Sequence, residues 1–154
     1  MRFWTWALEA YARPGAAQAC LDLQDHHGQC VPYLLWAAWA AREGRALDRR
    51  VLEAGADLAA RWEAAAVGPL RAARRSMKPE VSGIADAARE ALRAEVKALE
   101  LKVEQLLIET LQTLAPETGP AAPLPLESAL AAAAAVWPGA APESALARLA
   151  QTLS

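Results

Sequence analysis

Apolar residues recur every three or four positions along most of the chain, which is the spacing of amphipathic α-helices. Prolines and single glycines interrupt this pattern and mark the ends of the helices. The pattern predicts five short helices and one long helix, over residues 3–12, 14–27, 32–43, 49–67, 70–78 and 84–114. The helix 32–43 is apolar on every side, so we expect it at the buried centre of the fold, with Trp36 and Trp39 dominating the core.

The long helix carries a seam of apolar residues in alternating steps of three and four. The seam consists of Leu92, Val96, Leu99, Val103 and Leu106. Two heptads are too few for a stand-alone coiled coil, which needs about three or four. We therefore expect this helix either to dock on the bundle or to pair with a second copy of the chain.

Residues 115–154 differ in composition from the rest of the chain. Four prolines fall near their start, which is typical of an extended linker, and alanine-rich sequence follows. We predict one or two short helices there, the last with Leu146, Leu149 and Leu153 on one face, as in a helix that packs into a groove. The chain is thus divided into a helical bundle domain, 1–114, and a Pro/Ala-rich tail whose alanines need not belong to the core.

The composition supports an all-α fold and indicates the setting of the protein. Alanine and leucine supply 62 of the 154 residues, whereas isoleucine and valine supply only nine. No apolar stretch approaches the roughly 20 residues that span a bilayer, and no signal peptide is recognisable. We therefore expect a cytoplasmic protein with no membrane partner, whose two cysteines are thiols. Arginine outnumbers lysine thirteen to three, which is typical of a GC-rich bacterial genome.

Charge is distributed unevenly, although the net charge is only −2. Residues 1–78 carry eleven Lys and Arg against eight Asp and Glu, and residues 79–154 carry five against ten. One stripe of the fifth helix is formed by four cations: Arg71, Arg74, Arg75 and Lys78. The stripe is a candidate site for an anion or an acidic partner, which the glutamates of the long helix could supply; the alternative is a solvated face. The absence of interleaved aromatic residues argues against nucleic acid.

A polar constellation lies on the second helix and at its exit. Cys20, His27 and Cys30 could supply three soft ligands to zinc. Their spacing matches no known zinc module, so the alternative is a buried thiol with histidines at a helix C-terminus, where the helix dipole favours positive charge. A second hypothesis is a small-molecule site in the same region, with Cys20, Gln24, Asp25 and His27 as its candidate residues. Gln24 and Asp25 could instead cap the turn before the apolar helix.

The motifs of several enzyme classes are missing from the sequence. The two histidines are adjacent, which excludes a di-iron site with Glu-x-x-His pairs on separate helices. No Gly-x-Ser-x-Gly occurs and the glycines are scattered singly, so neither a serine nucleophile nor a phosphate-binding loop is indicated. We therefore favour a non-enzymatic protein and predict no cofactor, with zinc as the metal to be tested.

A set of short motifs is distributed over the first 40 residues. It comprises Phe3-Trp4, Tyr11-Ala12-Arg13-Pro14-Gly15, Ala19-Cys20-Leu21, Leu23-Gln24-Asp25, Gly28, Val31, Leu34-Leu35 and Trp39. With these motifs the N-terminal two-thirds of the chain resembles a family of small proteobacterial proteins catalogued as a domain of unknown function. The resemblance implies a soluble helical fold and brings no activity or cofactor. The chain departs from the family pattern at Cys30 and Pro32, where polar Asp and Asn are more usual, which argues against Cys30 as an essential ligand.

Two functional hypotheses follow from these patterns. The first is a cytosolic helical interaction module that binds a protein partner or a second copy of itself through the basic stripe, the long helix or the tail. The second is a small-molecule or metal-binding helical domain centred on the region of Cys20, Gln24, Asp25 and His27.

Overall fold

A computed structural model of the chain describes residues 1–117 and 122–154 and confirms the all-α fold. The helices are α1 (Phe3–Tyr11), α2 (Ala16–His27), α3 (Val31–Arg42), α4 (Arg49–Trp62), α5 (Gly68–Ser76), α6 (Asp86–Leu114), α7 (Leu126–Val136) and α8 (Glu143–Leu153). None of the helices in these two described segments is long and apolar enough to cross a membrane.

Several helix ends coincide with the signals that predicted them. Gly28 ends α2 in the left-handed conformation, with φ of 60°. Asp48 caps α4, because its side chain accepts a hydrogen bond of 2.9 Å from the Val51 N–H. Pro14 lies in the turn before α2 rather than in its first turn, since Gly15 is the N-cap of that helix.

The sequence predicts that Gly68 and Pro69 kink or break the helix before residue 70, and the structure shows no break between α4 and α5. The segment Glu63–Val67 forms a π-helical turn that joins the two helices without a gap. Proline has no N–H and clashes with the carbonyl four residues before it, and the wider π turn accommodates this defect. A Cβ atom on Gly68 would lie 2.9 Å from the carbonyl oxygen of Glu63, so the π turn also requires a residue without a side chain at this point.

Helix α3 is the centre of the fold, as predicted. Trp36 and Trp39 are completely buried, and Phe3 of α1 stacks on Trp39 with ring centroids 5.3 Å apart. Helix α4 crosses close to α3 at Gly55, where an added Cβ would lie 2.8 Å from Cη2 of Trp36. The tryptophans of α3 therefore set the packing of the neighbouring helices.

The sequence left open whether the alanines of the tail belong to the core, and several of them do. Helix α7 packs against α3 and α4 and buries Leu130 and Ala133 completely. Alanine at the contact lets helix axes approach closely, so an alanine-rich helix fits where a bulkier one would not. The described residues share one hydrophobic core that includes α7 and α8, and the predicted boundary at residue 115 does not separate two cores.

Trp137, which directly follows α7, ties the tail to the N-terminal part of the chain. Its ring lies 5.5 Å from the ring of Tyr33, centroid to centroid. Its indole N–H donates a hydrogen bond of 2.9 Å to the carbonyl oxygen of Gly28. Helix α8 packs on α2 and α7 and buries the face that carries its leucines, as their spacing predicted for a helix in a groove.

Helix α5 and residues 86–100 of α6 form a two-helix arm attached to this bundle, and we call residues 68–100 the arm. All of α5 lies in the described part of the chain, and none of its residues is buried. The buried residues of the arm are charged, namely Arg89 and Glu100. Arg89 donates hydrogen bonds to the carbonyl oxygens of Met77 (2.5 Å) and Lys78 (2.8 Å), which fixes the turn between the two helices.

The leucines of the predicted seam on α6 do not dock on the bundle. Leu92, Leu99 and Leu106 are 53%, 47% and 51% exposed, and the half-buried Val96 and Val103 lie beside them. A different face of α6 enters the core, and its apolar residues are Leu107, Ile108 and Leu111. The helix is rotated away from its leucines because Glu100 turns inward to meet the arginines of α5.

Candidate functional site

An apolar cleft of about 330 Å³ lies between α1 and α2 on one side and α6 on the other. Its buried lining includes Cys20, Leu35 and Ile108. Four large apolar residues with 40–51% exposure also line it, namely Leu8, Tyr11, Leu21 and Leu101. Scattered exposed leucines are ordinary, whereas several around one opening make that opening a candidate binding surface.

The cleft continues past Leu101 into a polar part of about 450 Å³. Its charged lining residues are Arg71, Arg74, Lys97, Glu100 and Glu104. Tyr11, Leu21, Gln24, Leu101 and Glu104 line both parts, so the two form one amphipathic cleft. We call this combined feature the cleft.

Arg71 is the centre of an ionic network at the polar end of the cleft. Its guanidinium meets Glu63 at 2.8 Å, Glu100 at 3.3 Å and Glu104 at 3.2 Å. Arg74 holds the other oxygen of Glu100 at 2.5 Å. Charges that leave water need partners of opposite sign, and here each inward-facing carboxylate has one.

Burial and the charge of Arg71 shift the pKa of Glu104 in opposite directions. Removal from water raises the pKa of its carboxyl, and the Arg71 guanidinium works against that rise. A carboxyl so placed is poised to lose its charge if Arg71 is removed. The pKa of Glu104 therefore depends on its contact with Arg71.

The residues proposed as a small-molecule site, Cys20, Gln24, Asp25 and His27, do not all meet at the cleft. Gln24 lines both parts of it. Asp25 is exposed and accepts hydrogen bonds from Gln24 at 3.2 Å and Arg75 at 2.9 Å. Hydrogen bonds from Gln24, and then from Arg75, hold the pKa of the Asp25 carboxyl below its usual range. His27 lies elsewhere, with its Nε2 3.9 Å from Asp22.

The proposed zinc ligands are not assembled either. Within residues 1–117 and 122–154 no three His, Cys, Asp or Glu side chains are grouped so that they could hold a metal ion. Cys20 and Cys30 are free, buried thiols, and burial raises the pKa of each to about 12. Cys20 thus contributes to the cleft as an apolar side chain, while Cys30 precedes α3 as its N-cap residue.

The four cations of the basic stripe do not share one partner. Arg71 and Arg74 pair with glutamates of α6, which was one of the alternatives raised from the sequence. Arg75 pairs with Asp25 of α2 at 2.9 Å, and Lys78 is exposed just beyond the end of α5. The stripe is therefore not a continuous free cationic surface.

Sequence reasoning missed the contribution of α6 to the cleft. Leu101 and Ile108 are seven residues apart and lie off the predicted leucine seam, so they mark a second apolar face of the same helix. Lys97 lies one turn before Leu101 on that face. The spacing of Leu101 and Ile108 indicates this face, but the leucine seam is more regular and therefore predicts a different apolar face of the helix.

Comparison with known proteins gives one match. A family model described as "Protein of unknown function (DUF2390)" matches residues 2–111, which contain every residue that lines the cleft. No curated protein and no solved structure matches the chain.

Proposed function

The chain belongs to the DUF2390 family of proteins of unknown function, and from this premise we propose that it is a helical interaction module whose cleft binds an amphipathic helix of a partner protein. The observation that carries the proposal is the group of exposed apolar residues around the cleft, Leu8, Tyr11, Leu21 and Leu101. We also propose that the protein is cytosolic, and the free thiols of Cys20 and Cys30 support this, because disulfides are rare in that compartment.

The open form of the cleft favours a helix over a small molecule. Small-molecule sites bury most of the ligand surface, whereas this cleft runs along α6 and leaves large side chains such as Leu21 and Leu101 exposed. A helix laid between α2 and α6 would cover those side chains with residues at positions i, i+3 or i+4, and i+7. The binding would rest on apolar burial, which contributes about 25 cal/mol per Å².

Charge in the polar part indicates what the partner carries beside its apolar residues. Arg71 and Arg74 pair with the three carboxylates Glu63, Glu100 and Glu104, and Lys97 is the third cation of this part. Lys97 is exposed, and within the described residues it has no ion pair within 4 Å. A partner helix with an acidic side chain next to its apolar face would complement Lys97.

Two of the three surfaces first considered for a partner are occupied within the chain itself. The arginines of the basic stripe are paired internally, and the tail is packed into the core. The long helix α6 is the surface that remains, and at the cleft its apolar side chains lie opposite α1 and α2. This elimination supports the interaction hypothesis over the ligand or metal alternative, for which only Cys20 and Gln24 lie at the cleft.

The experiment uses a photo-crosslinking amino acid placed at position 101 in the full chain, expressed in its native host. We expect it to capture a peptide with apolar residues at helical spacing and an acidic residue beside them, identified by mass spectrometry. The matched control carries the same amino acid at position 81, where Val81 has nearly the same exposure, 48% against 51%, and does not line the cleft.

The captured segment is then synthesised and titrated calorimetrically against the protein. We expect Leu101→Glu to weaken binding at least about tenfold and Val81→Glu to leave it unchanged, because a charge in the apolar cleft must be desolvated. Equal binding by the Leu101→Glu variant would contradict the proposal. Capture of a small molecule at position 101 would contradict it as well and would favour the ligand alternative.

A further inference from the structure

A second apolar surface lies on the side of α6 that faces away from the cleft. Leu92, Leu99 and Leu106 are seven residues apart, so on an ideal helix they fall within about 40° of one another. We call these three residues the leucine row. Leu101 of the cleft lies about 160° from Leu99 around the same helix, which makes the two surfaces independent.

We propose that two copies of this chain pair through the leucine row, with their α6 helices antiparallel about a twofold axis at Leu99. The row is symmetric about its middle residue. Reversing the direction of α6 about Leu99 brings Leu92 level with Leu106 of the second copy and Leu99 level with itself. In such an isologous contact both copies use the same patch, so the assembly is complete with two copies.

Charges beside the leucine row match the same arrangement. Glu95 and Lys102 are exposed on one flank of the row, and in the described part of the chain neither has an ion pair within 4 Å. In an antiparallel pair centred on Leu99, Lys102 of the second copy lies level with residue 96, beside Glu95. The symmetry produces this opposite-charge pair twice, so the surface is complementary to itself in charge as well as in shape.

The arm also lacks what a second copy would supply. Its two helices bury Arg89 and Glu100 between them, while Leu92 and Leu99 face outward. Two helices whose leucines remain exposed to water gain little free energy from apolar burial. Two such pairs laid together form a four-helix arrangement whose inner layer consists of the leucines.

Single cysteines test the geometry, because Cys20 and Cys30 are buried and do not compete. Under mild oxidation we expect Leu99→Cys to form a disulfide-linked dimer. Leu92→Cys alone should remain monomeric, since the two copies of position 92 would be about 21 Å apart at 1.5 Å per residue, and a disulfide needs Cα atoms within about 7 Å. A mixture of Leu92→Cys and Leu106→Cys proteins should cross-link again.

Charge reversal tests the same pairing in the non-covalent dimer by analytical ultracentrifugation. Glu95→Lys or Lys102→Glu alone should weaken dimerisation about tenfold, because each loses both symmetric pairs, and the double variant should restore it. A sedimenting monomer at all concentrations, or linkage of Leu92→Cys as efficient as that of Leu99→Cys, would overturn the proposal. Leu101→Glu should leave the dimer intact, so failure here is distinguishable from failure of the partner-helix proposal.

Discussion

The bundle and the arm are built from the same kind of helix but are held together by opposite means. The bundle places Trp36, Trp39 and Leu130 inside and its charges outside. The arm places Arg89 and Glu100 inside and leaves leucines in water. The bundle has many helices to cover an apolar face, whereas the arm has two, and two helices cannot enclose a dry core.

This difference shows that a few charges can decide which face of an amphipathic helix is buried. The pattern of α6 favours burial of its leucines, but the arginines of α5 draw Glu100 and Glu104 inward. A buried carboxylate without a partner costs several kcal/mol, so once the arginines are on the facing helix the pairing decides the rotation of α6. The leucines are then free for an external contact.

The largest expected effect is in the bundle, at α7. Leu130→Ala should lower the free energy of unfolding by about 3–5 kcal/mol, because it leaves a cavity in the shared core. Urea denaturation followed by circular dichroism measures the loss. The control is Leu124→Ala, which removes a 43% exposed leucine just before the same helix and should cost under about 0.5 kcal/mol. Equal effects of the two variants would mean that α7 is not integral to the bundle.

An intermediate effect is expected in the arm, at Arg71. Arg71→Met should cost about 2–3 kcal/mol at pH 7, because Glu104 loses the cation that offsets its burial. The pKa of Glu104 is already raised by burial and should rise further, so the deficit is greatest above this pKa and shrinks as the pH falls through it. Unfolding curves measured between pH 7 and pH 4.5 give this dependence.

A second substitution separates loss of the charge pair from loss of packing. Glu104→Gln removes the unpaired charge, so the double variant Arg71→Met, Glu104→Gln should recover much of the stability at pH 7. If the double variant is as unstable as the single one, the arm is held by packing of the Arg71 side chain and the contrast with the bundle disappears.

The smallest effect is expected where the arm touches α2, at Asp25 and Arg75. The Asp25 pKa is held below its usual range, so the pair contributes stability above the pKa of the unfolded chain and loses it as the pH falls through the folded value. Because both side chains are more than one third exposed, Arg75→Ala should cost only about 0.2–1 kcal/mol at pH 7 and nothing near pH 2. An NMR titration of the Asp25 carboxyl should show its pKa rising in the variant.

Local signals predicted much of the bundle and little of the cleft. The apolar run of α3, the glycine at the end of α2 and the cap at Asp48 each act within one turn of helix, so the sequence specifies them directly. The burial of α7 depends on a contact with α3, which is about a hundred residues earlier in the chain, and alanine-rich sequence carries little information about its partner. The rotation of α6 depends on charges of another helix, which its own periodicity does not contain.

The contact of Trp137 with the N-terminal part of the chain has a consequence for biosynthesis. Its hydrogen bond to Gly28 joins residues 109 positions apart, so the bundle closes only after Trp137 has left the ribosome. Until then Tyr33 and the α7-facing side of α3 have no cover, and the nascent chain exposes its most apolar helix. The synthesis of α7 and Trp137 thus sets the time at which the apolar side of α3 is covered and aggregation of the nascent chain becomes less favourable.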